Sequence, residues 1–225
     1  MKKVLIIIGI IFALLIVIIL IALPLRYDEE SVFDSTDTVP QDLVRTIENP
    51  YFDDKVTFLK KSAETGGAYT LLEIELGPGG GNTPHYHRRF SETFIAVDGV
   101  LGIELEGENI YLEPGNSITA EKNVVHRFFN PGDERILFHV KTEPGSTGFE
   151  KALYILYGLA NDGLTDEHGM PTDINHTAVF VRLSDTHAPG LLGFLAPVFR
   201  WMAQRAEKSG LQDELLERYY YSHTE

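Results

Sequence analysis

His85 and His87 stand two residues apart, directly after a glycine-rich break, Gly77-Pro78-Gly79-Gly80-Gly81-Asn82. On an extended chain, residues two apart point to the same side, so both imidazoles face one point. Glu92 follows just before an apolar run, and His126 opens another run further on. Three imidazoles and one carboxylate are a donor set for a single divalent first-row ion such as Fe, Mn, Ni or Zn. Neighbouring strands lie about 4.8 Å apart, so ligands from adjacent strands can meet at one ion. His139, His168, His176, His187 and His223 lack comparable spacing and are expected to stay off the metal. No nucleophile–base set is visible, which favours metal-assisted chemistry such as oxygenation or isomerisation.

The elements that must position these residues read as short strands. Apolar runs at 68–76, 93–97, 100–105, 109–112, 117–120, 125–129 and 135–142 are separated by turn residues. Asp98-Gly99 between two runs reads as a hairpin, and Asn130-Pro131-Gly132-Asp133 as a turn. Strands this short and close predict an antiparallel sandwich or barrel. Alternation places Phe94 and Ala96 on the side of Glu92, and Phe128 and Asn130 on the side of His126. Leu72, Ile74, Ile103 and Leu137 are expected in the core. Beyond Gly148 the pattern turns helical, over 149–160, over 191–208 with an interruption at Pro197, and over 211–220.

The chain has 225 residues, formal net charge −14 and no cysteine. Lack of cysteine excludes disulfides, thiolate zinc sites and a cysteine nucleophile. The acidic balance argues against a nucleic-acid partner, because phosphate binding needs clustered Lys and Arg. Residues 4–23 carry no charge and no strong hydrogen-bonding side chain. At 1.5 Å per residue they make about 30 Å of helix, the thickness of a bilayer core. Lys2 and Lys3 precede the run, and Asp28, Glu29 and Glu30 follow Arg26. A retained single-pass anchor is therefore expected, with a cytoplasmic N-terminus and an extracytoplasmic bulk.

The spacing of the candidate ligands resembles the cupin family. Gly79, His85, His87, Glu92 and Gly99 stand at the separations of the first cupin motif, and Gly115, His126 and Asn130 at those of the second. Glu121 and Asn123 replace the usual Pro and Gly before His126. Asn tolerates a left-handed backbone, so the turn can still form. The stretch from Gly148-Phe149-Glu150 to Gly169-Met170-Pro171 is similar to bacterial single-barrel cupins with a helical C-terminal extension. The resemblance implies a mainly β fold, a single antiparallel cupin β-barrel of the jelly-roll type, and metal ligands at His85, His87, Glu92 and His126. It implies no particular reaction, since cupins include dioxygenases, isomerases, decarboxylases and binding proteins.

The expected organisation is an anchor over 1–26, a linker over 27–55, the barrel over 56–145 and a helical extension over 146–225. The expected function is a metal-dependent oxygenase or isomerase acting on a small organic molecule. The alternative is a non-catalytic binding or sensing module. Tyr86, Arg88 and Arg89 flank the ligands, as a solvated rim or as a clamp for a substrate carboxylate. Leu191, Leu192, Phe194, Leu195, Val198, Phe199, Trp201 and Met202 form a broad apolar surface. It packs on the barrel, or else serves as a homodimer face or an interfacial helix.

Overall fold

The computed structural model describes residues 9, 11–12, 14–15, 17, 43–50 and 53–222. Strong alternation of apolar and polar side chains drives residues 54–143 into strands. β1 (Thr46–Asn49), β2 (Asp54–Lys60), β3 (Thr70–Leu76), β9 (Ile136–Glu143), β4 (Ser91–Asp98) and β7 (Ser117–Ala120) form one sheet in that order. β6 (Glu108–Leu112), β5 (Leu101–Leu105) and β8 (His126–Phe129) form a second. Every pairing is antiparallel.

Parity along each strand decides what faces inward. β3 buries Thr70, Leu72, Ile74 and Leu76 and turns Leu71, Glu73 and Glu75 outward. β4 buries Glu92, Phe94 and Ala96, as the sequence predicts. β9 buries Ile136, Phe138, Val140 and Thr142. Leu137, expected in the core, is on the outer face and only half-buried. Phe94 and Phe138 are fully buried, each stabilising the fold by about 2–3 kcal/mol of apolar transfer.

The expected closed barrel is not what forms. The sheets face each other as an open sandwich, with β1 and β7 ending one and β6 and β8 ending the other. The small sheet has too few strands to cover β1–β3, and a helix covers their inner face instead. This helix, α1 (Thr147–Asn161), starts where the Ser146 hydroxyl accepts from the Phe149 N–H at 3.1 Å. The Tyr154 ring stacks on Phe58 of β2 at 4.8 Å and 7°, and its hydroxyl donates to the Val44 carbonyl. Glu150 is fully buried and accepts from the Ser62 N–H and the Thr70 hydroxyl, each at 2.6 Å. These bonds clamp the start of α1 to the strand edge.

After α1 come α2 (Ile174–Leu183), a 3-10 turn at Gly190–Leu195, α3 (Ala196–Lys208) and α4 (Leu211–Leu216). A π-helical turn at Glu217–Tyr221 ends the described tail. The helical stretches expected around 149–160, 191–208 and 211–220 are present. The sequence reading missed α2. α3 buries Ala203 and Ala206 and packs chiefly against α2 and α4. Leu191, Leu195 and Trp201 stay exposed at 85%, 41% and 39%.

Two further expectations change. β1 and the start of β2 fall inside the stretch assigned to a linker over 27–55, because β1 pairs fully with β2 from Thr46↔Thr57 to Asn49↔Asp54. Asp98-Gly99 is no hairpin: β4 and β5 belong to different sheets, and the turn carries the chain across the sandwich. Gly99 adopts φ 74°, and a Cβ there would lie 2.6 Å from Ile136 Cγ2, so the crossover requires glycine. The β5–β6 hairpin at Glu106-Gly107 does form.

The expected anchor lies mostly outside the described residues. Gly9, Ile11, Phe12, Leu14, Leu15 and Val17 are helical and exposed. Among the described residues, no helix is long and apolar enough to cross a membrane.

Candidate metal centre

The glycine-rich break after β3 leads the chain back along β8. His85 and His126 then form an isolated antiparallel bridge, His85 N–H to His126 O at 3.0 Å and His126 N–H to His85 O at 2.8 Å. That bridge sets their rings side by side, with centroids 4.6 Å apart. His87, two residues on, points to the same side, its ring centroid 4.8 Å from that of His85. Glu92 enters from the inner face of β4. Asn123 does adopt the left-handed conformation, φ 68°, and its N–H bonds the His87 carbonyl at 2.7 Å. The turn before His126 therefore forms without the usual Pro and Gly.

Each imidazole is oriented the same way. Nδ1 of His85 faces the Thr83 carbonyl at 2.8 Å, Nδ1 of His87 the Asp185 carbonyl at 3.1 Å, and Nδ1 of His126 the Val124 carbonyl at 2.9 Å. A carbonyl only accepts, so each Nδ1 carries a proton and each ring turns its Nε2 inward. His126 Nε2 lies 2.8 Å from Glu92 Oε2. His87 Nε2 lies 3.6 Å from the same oxygen, beyond hydrogen-bond length, and is buried without a partner. The candidate ligand atoms of His85, His87, Glu92 and His126 all lie within 4.8 Å of one another.

With each Nε2 deprotonated, three nitrogen lone pairs and one carboxylate converge, an arrangement that a cation between them relieves. Metal–ligand bonds of about 2.0–2.2 Å place donors roughly 3–4.4 Å apart, so the set fits one ion after slight contraction. The orphaned Nε2 of His87 is a fourth donor in need of a partner. The electrostatics agree. Burial, reinforced by the His87 and His126 charges, pushes His85 down to about 3. Burial opposes the charge on Glu92, yet His87 and His126 hold its carboxyl well below the usual range. Burial also works against protonation of His126, but the Glu92 hydrogen bond outweighs it and raises that imidazole.

Residues 72–140 match a family model described as "Cupin domain". Over this stretch the chain is similar to cupin domains. Solved structures similar to the chain include KdgF from Halomonas sp., at 22% identity over 40% of this chain and 80% of that one, TM-score 0.37. The polyketide cyclase RemF from Streptomyces resistomycificus shows 20% identity over 50% and 82%, TM-score 0.39. An RmlC-like cupin from Shewanella frigidimarina shows 18% over 52% and 97%, TM-score 0.41. None of the curated proteins matches.

All four expected ligands lie within the matched stretch and meet at one point. They open into a cavity of about 1040 Å³ between the sandwich and the helical tail. Val56, Ile74, Phe128, Leu153, Leu156 and Phe180 are among its apolar walls, and Tyr86, Arg88, Arg89 and Arg200 among its polar ones. The Arg88 guanidinium sits 5.8 Å from the Tyr86 ring centroid. His139 is on the outer face beside Glu73, at 3.2 Å, away from this group. Asp185 and His187 contact the ligand segment and are absent from the expected set. No motif marks them, because they lie far along the chain beyond the matched stretch.

Proposed function

We propose that the protein is a metal-dependent enzyme, of the oxygenase or isomerase type, acting on a small organic molecule. The observation that carries this reading is the buried convergence of three carbonyl-anchored imidazoles and Glu92 at the wall of a large, mainly apolar cavity. Such a cavity with few polar groups suits a small-molecule site. His85, His87, Glu92 and His126 hold the ion. When bound, a divalent ion at this point supplies Lewis acidity or redox chemistry. Phe128, Leu153, Leu156 and Phe180 exclude water and hold the body of the substrate. Arg88 and Arg89 at the wall favour a substrate that carries a carboxylate. The charge-free run over 4–23, flanked by Lys2 and Lys3, supports a single-pass anchor with the cupin domain extracytoplasmic.

The test is to load the protein with Fe, Mn, Ni or Zn and follow O2 consumption and product formation with phenolic and keto-acid compounds. Turnover that requires bound metal and disappears in a His85→Ala/His87→Ala double variant supports the enzyme reading. Tight binding without turnover across the panel favours a binding module. No metal binding at all overturns the reading.

A further inference from the structure

The cupin-like stretch does not hold His87 by itself. Immediately after α2 the chain places Asp185 in a left-handed conformation, φ 52°. Its carbonyl accepts from His87 Nδ1 at 3.1 Å. Its carboxylate Oδ2 accepts from the N–H groups of Arg88 and Arg89, at 2.7 and 2.8 Å. Its Oδ1 faces His187 Nε2 at 3.0 Å. His187 in turn exchanges both backbone hydrogen bonds with Tyr86, each 3.0 Å, and stacks on the Tyr86 ring at 5.2 Å. A short strap of the tail is thus laced, backbone to backbone, along the segment that carries His85 and His87.

We propose that Asp185 is a positioning residue of the metal centre, and that the helical tail fixes the orientation of His87 through it. This rests on the metal reading above and adds to it a dependence on residues outside the cupin-like stretch. Among the described residues, the Asp185 carbonyl is the acceptor that fixes the tautomer and plane of the His87 ring. The other two histidines take theirs from carbonyls two residues earlier, at Thr83 and Val124. The Asp185 carboxylate does not touch the ring. By binding two consecutive N–H groups just past His87, it locks the distance between the strap and the ligand strand. Hydrogen bonds of this outer kind set ring orientation and ligand basicity, and losing one weakens metal affinity about 10–100-fold.

Asp185→Ala removes the carboxylate and strains the left-handed backbone. Asp185→Asn and Asp185→Gly both keep that conformation. Asp185→Asn retains one neutral oxygen, a weaker acceptor for both N–H groups, and Asp185→Gly retains none. The probes are Zn and Co, measured in the full chain by chelator competition, with the Co absorption spectrum as a report on ligand geometry. Metal-free melting is recorded alongside. The expected result is an affinity loss of about 10–100-fold for Asp185→Gly and a smaller loss for Asp185→Asn. The Co spectrum should change even at full loading. His139→Ala, on the outer face beside Glu73 and away from the strap, should match wild type. Wild-type affinity and an unchanged Co spectrum in Asp185→Gly overturn the proposal while leaving the metal reading intact. Failure of the wild type to bind either metal overturns both.

Discussion

His85 and His126 sit directly opposite each other, sharing two backbone hydrogen bonds of 3.0 and 2.8 Å. The bridge aligns these two candidate ligands through backbone hydrogen bonds, which belong to the fold itself. Zn should therefore bind at close to one ion per chain without a folding transition. His85→Ala, His87→Ala and His126→Ala should each lower affinity sharply, and His139→Ala should not. Equal Zn content in wild type and the His85→Ala/His87→Ala double variant would remove the metal reading.

Glu92→Gln separates charge from shape. The amide keeps the volume in the core but loses the anion that offsets the ion's charge. Zn affinity should fall by roughly 10-fold or more, because a lost charge is felt strongly in a buried site. Metal-free melting should fall, since, against its burial, His87 and His126 hold the Glu92 carboxyl well below its usual range and the amide loses that pairing. An unchanged Zn affinity would show that Glu92 is not a ligand.

Asp54 at the start of β2 is pushed up to about 6, chiefly by burial, against a hydrogen bond from Tyr157. Its Oδ1 has no hydrogen-bond partner. The folded-state value lies above the unfolded one, near 3.9. Its contribution to stability is therefore full below about pH 4 and is lost as pH rises through about 6. Asp54→Asn escapes that loss and still accepts from Tyr157. The variant should be more stable than wild type at pH 7.5 by about 1–3 kcal/mol, and no more stable at pH 4. Denaturant melts at both pH values decide it, and an equal effect at the two would refute the assignment.

Gly158 in the last turn of α1 lies against the Tyr219 ring, where an added Cβ would overlap the ring carbons. In an exposed helix Gly→Ala stabilises by about 1 kcal/mol. Here Gly158→Ala should destabilise by roughly 1–3 kcal/mol, because the buried Tyr219 must shift. In a Tyr219→Ala background the same change should turn neutral or stabilising. A thermal-melt double-mutant cycle without that change of sign would mean the ring moves freely.

The four candidate ligands could be picked out because their spacing is tied to strand parity and to fixed turns, and the structure brings these residues together. Phe94 and Ala96 followed from Glu92 by the same parity. Parity failed at Ile136-Leu137-Phe138, where three consecutive apolar residues suit either face, so Leu137 was placed inside. β1 was missed because its four residues, Thr-Ile-Glu-Asn, offer too little alternation to read as a strand. α2 was missed because Asn175-His176-Thr177 opens it with polar residues. Asp98-Gly99 gives the same signal whether a turn joins neighbours or crosses between sheets. Asp185 was invisible for a deeper reason. Its bond to His87 uses a carbonyl, which every residue type has, and only the tail's path brings it there.

The stack of Tyr154 on Phe58 means that the recognisable unit and the folding unit have different borders. The family match starts at Leu72 and ends at Val140, leaving out β1, β2 and the whole of α1. A fragment cut to those borders would open Leu72, Ile74 and Val140 to water along an unprotected strand edge, the kind of surface that recruits other strands. The cupin-like stretch is thus a part that its neighbours complete. An excised version should self-associate, and a chimera that keeps the metal ligands needs the helix that comes after them as much as the strands that come before.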